Sequence, residues 1–375
     1  MKQVRVVHVV EALGRGGLER IVATLVRHAA PRYTTEVLAL AGEGPVADEL
    51  RASGATVRAL ALRDYYPRSV LRTARALVGA RAELVHSHGH FAGVAARLAA
   101  RLIGVGTVIH HLHTSDDSLK PRHRRLERLL GTITQSVVCC SDAVARHAAG
   151  DLGLPGRLLA VIRNGIEPAP RVDRAEALRL LGDPPGPVVG CVGSLTPHKG
   201  QAVLLRAFAA AASRAAAHPG TPATLVLVGD GGERRDLEER AAGLGVGERV
   251  RFTGARDDAR RLLAGFDLFV APSIGREGLS IATLEAMDAG VPVVASRLGG
   301  LVEVVDEGRT GLLVPEGDAT ALASAMTSIL ARPDRGRDLG EAGRLRVERD
   351  FRAAAMVSRI ESLYEVALER KVRAA

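Results

Sequence analysis

Short apolar runs alternate along the chain with glycine-bearing polar turns and with stretches that repeat hydrophobic residues at helical spacing. The apolar runs predict buried strands, and the stretches between most of them predict helices. The predicted strands are 4–10, 36–40, 56–60, 83–87, 107–112, 136–140, 159–162, 187–195, 224–228, 249–253, 267–271, 291–295 and 311–314. Strands that alternate with helices are typical of an α/β fold with doubly wound parallel sheets.

The plan of strand, glycine loop and helix starts twice, near the N-terminus and again at Pro187. The P-A-P stretch at 168–170 predicts a linker, and 375 residues suffice for two hydrophobic cores. We therefore predict an N-terminal domain over 1–168, a C-terminal domain over 169–350 and an amphipathic C-terminal helix over 351–375. The helix is expected to pack toward the N-terminal domain. The carboxyl ends of the two sheets are expected to border a ligand cleft.

The stretch from Pro272 to Gly300 reads P-S-I-G-R-E-G-L-S-I-A-T-L-E-A-M-D-A-G-V-P-V-V-A-S-R-L-G-G. Its spacing predicts a helix over Leu279–Ala289, followed by another strand. The unpaired N–H groups near Gly278, Leu279 and Ser280 can bind an anion at this helix start. Two carboxylates nearby, Glu277 and Glu285, suit a ligand with phosphates at one end and hydroxyls at the other.

The two glutamates leave two interpretations open. Glu277 at the loop–helix junction and Glu285 in the second helical turn can border one pocket. Alternatively, Glu277 only caps the helix and Glu285 is an exposed helical carboxylate. The L-E-A-M surroundings of Glu285 are otherwise apolar, where an unpaired charge is costly. We therefore expect Glu285 to need partners, for which sugar hydroxyls are suited.

A second strand-to-helix loop, G-S-L-T-P-H-K-G over 193–200, contains Lys199. Only four of the 51 basic residues are lysines, and no other lysine lies between Lys120 and Lys371. An ammonium is a compact point charge suited to a single phosphate oxygen. The retained lysine favours a specific contact over a solvated surface charge.

The N-terminal loop E-A-L-G-R-G-G ends in Gly16 and Gly17, where a ligand can approach the backbone. It is not the dinucleotide fingerprint, because Glu19 stands where the last glycine would be. A tight strand-to-helix turn is the alternative interpretation.

Histidines cluster in H-S-H-G-H and H-H-L-H. Their positions are His86, His88, His90, His110, His111 and His113. Alternate strand residues share a face, so a metal site is conceivable. No carboxylate or cysteine completes a recognisable ligand set, and we expect no metal. His113 is expected at the carboxyl end of a strand, in the cleft, with Gly89 and His90 at the end of another.

Composition narrows the class of protein. The formal net charge of +9 favours acidic partners, but aromatic residues make up 3%, tryptophan is absent and no nucleic-acid motif appears. Cys139, Cys140 and Cys191 show no metal or disulfide spacing, so we expect buried reduced thiols. No apolar run is long enough to span a membrane, and the N-terminus resembles no signal peptide. We expect a cytoplasmic protein that does not bind nucleic acid.

Two basic stretches are candidates for peripheral contact with anionic lipid at the inner face of the membrane. One follows Tyr65-Tyr66-Pro67 and the other is 119–130. Solvated helix faces in an arginine-rich chain are the alternative.

The composite motif resembles retaining glycosyltransferases of family 4, which have the GT-B fold of two Rossmann-like domains facing a central cleft. The strongest signature is Glu277-x7-Glu285 within E-G-L-S-I-A-T-L-E-A-M-D-A-G-V-P-V-V-A-S. Supporting matches are G-R-G-G at 14–17, I-R-N-G-I-E at 162–167, V-G-D-G at 228–231, F-T-G at 252–254 and D-L-F-V-A-P-S at 267–273.

The resemblance implies a nucleotide-sugar donor held mainly by the C-terminal domain, an acceptor held mainly by the N-terminal domain, and no cofactor or obligatory metal. Glu285 would bind the donor ribose, and Glu277 would contact the hydroxyls of the transferred sugar. Lys199 and the amides of 278–280 would hold the diphosphate, with His113 near the anomeric carbon. The further donor-binding residues would be Gly16, Gly17, Asn164, Ser194 and Arg276.

Ser194 departs from the family pattern G-R-L-x-x-x-K-G, which has an arginine at this position. The loss removes a bidentate phosphate contact, for which Arg276 is a candidate substitute.

We therefore predict transfer of a sugar, from a UDP-sugar first and GDP-mannose second, to a hydroxyl of a small molecule, a glycan or a lipid-linked acceptor. The alternatives are a catalytically weak sugar-nucleotide-binding protein and a hydrolysing sugar-nucleotide epimerase.

Overall fold

A computed structural model of the protein describes residues 3–62, 67–115, 119–168, 172–215, 222–275 and 277–374. The chain divides into two compact units. Unit 1 consists of Met1–Glu167 and Ala353–Ala375, and unit 2 consists of Pro168–Arg352. These bounds lie within two residues of the limits expected from the sequence.

Unit 1 contains a sheet of seven parallel strands. The strands are β1 Val4–Ala12, β2 Tyr33–Gly42, β3 Thr56–Ala59, β4 Leu84–His88, β5 Thr107–Leu112, β6 Ser136–Cys139 and β7 Leu159–Val161. Their spatial order is β3-β2-β1-β4-β5-β6-β7. The order reverses between β1 and β4, the switch point at which open α/β sheets bind ligands.

Helices cover both faces of this sheet. The first six are α1 Gly17–Arg27, α2 Pro45–Ala52, α3 Arg68–Gly79, α4 His90–Leu102, α5 Pro121–Gly131 and α6 Asp142–Gly150. Val7 and Val9 of β1 pack in one core with residues of α3 and α4. Val10 and its neighbours pack in a second core with α1 and α2. Side chains on alternate faces of β1 therefore contribute to two hydrophobic layers, one on each side of the sheet.

Unit 2 repeats the architecture with six parallel strands in the order β10-β9-β8-β11-β12-β13. The strands are β8 Val188–Val192, β9 Thr224–Val228, β10 Val250–Gly254, β11 Leu268–Ala271, β12 Val293–Ser296 and β13 Gly311–Val314. The helices are α7 Arg174–Leu180, α8 Gln201–Ala215, α9 Arg234–Gly243, α10 Ala259–Leu262, α11 Ile281–Asp288, α12 Leu301–Val304, α13 Ala319–Leu330 and α14 Pro333–Asp350. Here β8 and β11 are the switch-point neighbours. Short 3-10 turns lie at Gly156–Leu158 in unit 1 and at Pro197–Lys199, Gly247–Arg249 and Leu263–Gly265 in unit 2.

The last helix, α15 Ala353–Ala374, returns to unit 1. The Ala353 amide donates to the Ile166 carbonyl at 2.9 Å, and Tyr364 on the same helix is 3% exposed. Unit 1 is therefore built from two separate parts of the chain.

The predicted pair of doubly wound parallel sheets is confirmed. The predicted helix at Leu279 instead begins at Ile281, because the Ser280 hydroxyl accepts the Thr283 amide as an N-cap. Within the described ranges, no helix is both long and apolar enough to cross a membrane.

Candidate functional site

The loops that follow β8 and β11 come together at the switch point of unit 2. Gly200, in the first loop, has φ +70° and lies so close to the second that an added Cβ would be 1.9 Å from the Pro272 carbonyl oxygen. The Ile274 amide donates to the His198 carbonyl at 2.8 Å. A side chain at position 200 would separate the two loops, so glycine fixes their approach.

This approach places Lys199 beside Glu277. The Lys199 Nζ lies 2.9 Å from Glu277 Oε2, and the Ser273 hydroxyl donates to the same oxygen at 2.7 Å. Glu277 is 5% exposed, so its carboxylate is held by two short charged or polar contacts in a largely dry setting. The interpretation of Glu277 as only a helix cap is wrong, because Ser280 caps α11. Lys199 lies in a 3-10 turn that ends just before α8 begins, and its partner among the described residues is the Glu277 carboxylate. The phosphate contact expected of it stays a prediction.

The backbone behind Glu277 is held by a second close approach. Gly299 has φ +51°, and a Cβ there would be 2.1 Å from the Glu277 carbonyl oxygen. The Gly300 amide donates to that carbonyl at 3.3 Å. Gly278 and Leu279 are buried and precede Ser280, whose hydroxyl accepts the Thr283 amide as the N-cap of α11.

Glu285 lies in the second turn of α11 and has an ionic partner. Its Oε1 is 3.3 Å from Arg260 Nε, and the Glu285 side chain is 15% exposed. Glu285 is therefore neither an exposed helical carboxylate nor an unpaired buried charge. Arg260 at α10 escaped the sequence analysis because one arginine among 47 carries no distinguishing signal.

Ser194 is exposed, and its side chain contacts another residue of the same loop. Its hydroxyl lies 3.3 Å from Thr196 Oγ1, and its carbonyl accepts from Gln201 Nε2 at 2.9 Å. Arg276, the candidate substitute for the missing arginine, lies outside the described residues. So do Tyr65 and Tyr66, which belong to the first candidate membrane-binding stretch.

In unit 1, Gly16 is the N-cap of α1 and Gly17 its first residue. The Glu19 side chain folds back over Gly16, where a Cβ would meet Glu19 Oε2 at 2.1 Å. Burial raises the pKa of Glu19, against backbone N–H groups of Glu19 and Gly16 that lower it. The helix start predicted to receive a ligand thus carries a carboxylate of its own.

His113 directly follows β5, as predicted from the sequence. Its Nε2 lies 3.1 Å from His88 Nδ1, and burial lowers the pKa of His113 to about 3, so the ring is neutral. Asn164 is 3% exposed, and its side-chain oxygen finds no hydrogen-bond partner among the described residues.

Gly89 and His90 follow β4 as predicted, and His90 begins α4. His90 Nδ1 lies 2.6 Å from a carboxylate oxygen of Glu127, whose other oxygen accepts from Arg97 at 2.7 Å. Burial would raise the pKa of Glu127, but the Arg97 guanidinium and the His90 ring hold it well below its usual range. This buried pair was missed because Arg97 and Glu127 lie on different helices, 30 positions apart.

The histidine runs also come together with His8 of β1, which the sequence analysis did not single out. One ring nitrogen from each of His8, His86 and His88 lies within 4.8 Å of the others, as do nitrogens of His88, His111 and His113. A histidine in the middle of the apolar run V-V-H-V-V was the available signal.

Two family models match the chain in succession. Residues 15–169 match Glycosyltransferase Family 4, and residues 186–332 match the Glycosyl transferases group 1 model. The alpha-maltose-1-phosphate synthase of Mycolicibacterium smegmatis is 33% identical over 76% of this chain and 79% of its own length. A GDP-mannose-dependent alpha-(1-6)-phosphatidylinositol monomannoside mannosyltransferase of the same species is 35% identical over 67% of this chain and 66% of its own length.

Among solved structures, Anabaena HepE in complex with UDP and glucose superposes with a TM-score of 0.85. That likeness covers 97% of this chain and 100% of HepE at 22% identity, and it shows the fold alone. Two doubly wound parallel-sheet units of this kind have the GT-B fold expected from the sequence. The family models and the extent of the sequence identity together establish that the chain belongs to glycosyltransferase family 4, the group 1 glycosyl transferases.

Proposed function

We propose that the protein is a retaining, metal-independent glycosyltransferase that moves a sugar from a nucleoside-diphosphate sugar to a hydroxyl acceptor. The observation that carries this proposal is the contact of Lys199 with Glu277 at the switch point of unit 2. It pairs a cation suited to phosphate with a buried carboxylate suited to sugar hydroxyls. The same switch-point loops bring both groups together.

In the proposed donor complex, the Lys199 ammonium and the amides at the start of α11 face the diphosphate. Charge builds on the leaving phosphate as the glycosidic bond breaks, so a preorganised cation there lowers the barrier. Glu277, held by Lys199 and Ser273, orients the transferred sugar through its hydroxyls. Glu285 is assigned to the ribose. The donor contacts expected of Gly16, Gly17, Asn164 and His113 stay predictions.

We propose that the anomeric configuration is retained because the acceptor hydroxyl attacks the anomeric carbon from the face that the leaving phosphate vacates. The departing phosphate oxygen accepts the proton of the acceptor hydroxyl as the new glycosidic bond forms. This route needs no carboxylate as a general base, which agrees with a Glu277 carboxylate already engaged by Lys199 and Ser273. It also needs no metal, because Lys199 and backbone dipoles supply the positive potential.

The donor is proposed to be a UDP-sugar, with GDP-mannose as the second candidate. A family 4 relative is named as GDP-mannose-dependent, which supports the second. Thermal-shift measurements with a panel of nucleoside diphosphates distinguish the two donor classes. A ligand at 100 times its Kd adds about 2.7 kcal/mol to the free energy of unfolding. The base that raises the melting temperature identifies the donor class.

The acceptor is proposed to be a hydroxyl of a small molecule, a glycan or a lipid-linked compound. A lipid-linked acceptor is supported by α5, which exposes Leu129 beside Arg125 and Arg128. Co-sedimentation with anionic vesicles at low and high salt tests this subclass. No binding at low salt removes it.

The decisive experiment incubates the purified protein with the selected sugar nucleotide and a panel of acceptors. We expect release of nucleoside diphosphate, a product with the anomeric configuration of the donor, and equal turnover with or without added Mg²⁺ or Mn²⁺. A donor that binds without any release of nucleoside diphosphate would instead identify a sugar-nucleotide-binding protein. An inverted product contradicts retention, and a need for added metal contradicts metal independence.

A further inference from the structure

Five buried or partly buried histidine rings lie side by side on one face of the unit 1 sheet. They belong to β1, β4 and β5 and to the residue after β5. The five are His8, His86, His88, His111 and His113. Only His113 has a place in the proposed transfer reaction, so the other four need another explanation.

Strand register brings three of them together. His8 is the direct partner of His86 in the parallel pairing of β1 with β4, and His88 follows two positions later on the same face. The ring centroids of His86 and His88 are 4.3 Å apart, and that of His8 lies 5.2 Å and 5.4 Å from them. All three side chains are at most 1% exposed.

The ring nitrogens of this triad are incompletely satisfied. His86 Nδ1 lies 2.6 Å from the Tyr364 hydroxyl of α15, whereas His86 Nε2 is buried and has no hydrogen-bond partner in the described part of the chain. His8 Nδ1 and His88 Nε2 lie 3.1 Å apart. A buried polar atom without a partner costs about 1–3 kcal/mol. A ligand that accepts nitrogen lone pairs would remove this cost.

The rings are in the protonation state that such a ligand requires. Burial lowers the pKa of His8 to about 4, and burial together with neighbouring histidines lowers those of His86 and His88 well below the usual value. Neutral imidazole is the metal-binding form. At neutral pH each ring therefore has a nitrogen lone pair.

We propose that His8, His86 and His88 bind a divalent transition-metal ion, Zn²⁺ by preference, as a structural site of unit 1. Nitrogens bound tetrahedrally at about 2.0–2.1 Å from zinc lie roughly 3.3 Å from one another, close to the observed 3.1 Å. Imidazole ligands suit zinc, copper and nickel better than magnesium or calcium.

Two further features support this site. Tyr364 occupies Nδ1 of His86, which fixes the ring and leaves Nε2 to bind the ion, as outer-shell partners of metal-bound histidines do. A small cavity lined by His8, Tyr33, Glu361 and Tyr364 lies next to His8. The Glu361 carboxylate, one oxygen of which accepts the Ala30 amide at 2.7 Å, gives this cavity negative charge, which favours entry of a cation.

The neighbouring triad of His88, His111 and His113 shares His88. Because one imidazole binds two ions only when fully deprotonated, we assign a single ion. We place it at His8, His86 and His88 because Tyr364 orients the His86 ring through Nδ1. An alternative arrangement without metal is a chain of N–H···N hydrogen bonds from His8 through His88 to His113, with both gaps at 3.1 Å. A measurement of metal binding distinguishes the metal site from this hydrogen-bonded chain.

The test is metal stoichiometry on the full chain. After chelation and removal of the chelator, wild-type protein is titrated with Zn²⁺ against a chromophoric competitor, and Co²⁺ replaces Zn²⁺ for absorption spectroscopy. We expect about one equivalent of tightly bound ion and a Co²⁺ spectrum of nitrogen ligation. His8→Phe and His86→Phe should abolish both signals. Tyr364→Phe should weaken Zn²⁺ binding by about 10–100-fold.

His147→Gln is the matched control, because His147 is also buried but pairs with Asp151 at 2.9 Å, apart from the triad. It should bind as wild type does. If the phenylalanine variants fail to fold, the wild-type protein still decides, because Zn²⁺ must raise its melting temperature. No stoichiometric uptake and no thermal shift overturn the proposal in favour of the hydrogen-bonded chain. So does unchanged binding in folded His86→Phe. None of these readouts depends on sugar transfer.

Discussion

The ammonium of Lys199 lies 2.9 Å from a carboxylate oxygen of Glu277, although 78 positions separate the two residues. Each comes from a loop that follows a switch-point strand, and the strands β8 and β11 are direct neighbours. The pair links a position suited to phosphate with a position suited to sugar hydroxyls, and changing either member tests the assignment.

Replacing Glu277 with glutamine keeps the side-chain shape but removes the charge that holds Lys199. We expect kcat/KM to fall by about 10²–10³-fold, the usual effect of losing one preorganised electrostatic contact. The melting temperature should change little, because the Lys199 side chain is 27% exposed and water can solvate it. Glu316→Gln, at an exposed loop position, is the control for steady-state kinetics. Near wild-type turnover in Glu277→Gln would remove Glu277 from the site.

Placing an arginine at Ser194 should restore the missing phosphate contact. Ser194 is exposed, and its hydroxyl makes only a long contact of 3.3 Å with Thr196, so the position has room for a longer side chain. A hydrogen bond to a charged group is worth about 1.5–3 kcal/mol. We expect Ser194→Arg to lower the Kd for the nucleoside diphosphate by at least tenfold in calorimetry. An unchanged Kd, with Ser194→Gln as the uncharged control, would show that another group already fills this role.

A contact between Glu285 and the ribose can be tested by removing either the Glu285 carboxylate or the ribose hydroxyls. We expect Glu285→Ala to weaken binding of the nucleoside diphosphate by about 10–100-fold, the range of a charged hydrogen bond. The variant should bind the 2′,3′-dideoxy analogue as wild type does, because that analogue lacks the ribose hydroxyls. Arg260→Ala, which removes the ionic partner of Glu285 at 3.3 Å, should have a smaller effect. An equal loss for both ligands would assign Glu285 to structure rather than to the ribose.

Gly200→Ala should destabilise unit 2 and disturb the site together. The new Cβ would stand 1.9 Å from the Pro272 carbonyl oxygen, and φ +70° is unfavourable for alanine. We expect the free energy of unfolding to fall by about 1–3 kcal/mol. At about 2–4 °C for each kcal/mol, differential scanning calorimetry resolves the change. Gly232→Ala, where nothing lies within 4 Å of the added atom, should melt as wild type does. Equal melting of the two variants would show that the loops separate freely.

Stability should fall as the pH falls below neutrality, in part because of His110. Burial lowers its pKa to about 3, with Arg97 and His90 lowering it further and Glu127 opposing them. The unfolded chain titrates this ring near pH 6.5, so between 6.5 and 3 the unfolded state binds a proton that the folded state does not. Stability therefore decreases as the pH falls through this window.

The slope due to His110 is about 1.4 kcal/mol per pH unit. Urea unfolding between pH 7 and 5 measures it, and His110→Phe should flatten the dependence by that amount. His147→Gln, a buried histidine with its own carboxylate partner, serves as the control. An identical slope in wild type and His110→Phe would contradict the assignment.

The strands were predictable because each is a short apolar run between turn residues, a signal that lies within a few neighbouring positions. The partners of the site residues could not be predicted in this way. Ser273 and Arg260 look ordinary in sequence, and only the register of β8 with β11 brings Lys199 to Glu277. The start of α11 was placed two residues early because Leu279 is apolar and buried, although it precedes the Ser280 cap.

The histidine runs show the same limit. Their positions at and beyond the ends of β4 and β5 were predictable from the apolar runs, and His113 directly follows β5 as predicted. That His8 would join them depended on the pairing of β1 with β4, which no local pattern specifies.

The return of α15 to unit 1 has a consequence for biosynthesis. Unit 2 is one uninterrupted segment and is complete on the ribosome when residue 352 has emerged, whereas unit 1 must wait for the final helix. Until then the His86 ring lacks Tyr364, its partner 278 positions later. A fragment that stops at Glu167 is therefore an unfinished fold, and we expect it to aggregate. The later-numbered unit should mature first, the reverse of the usual order in nascent multidomain chains.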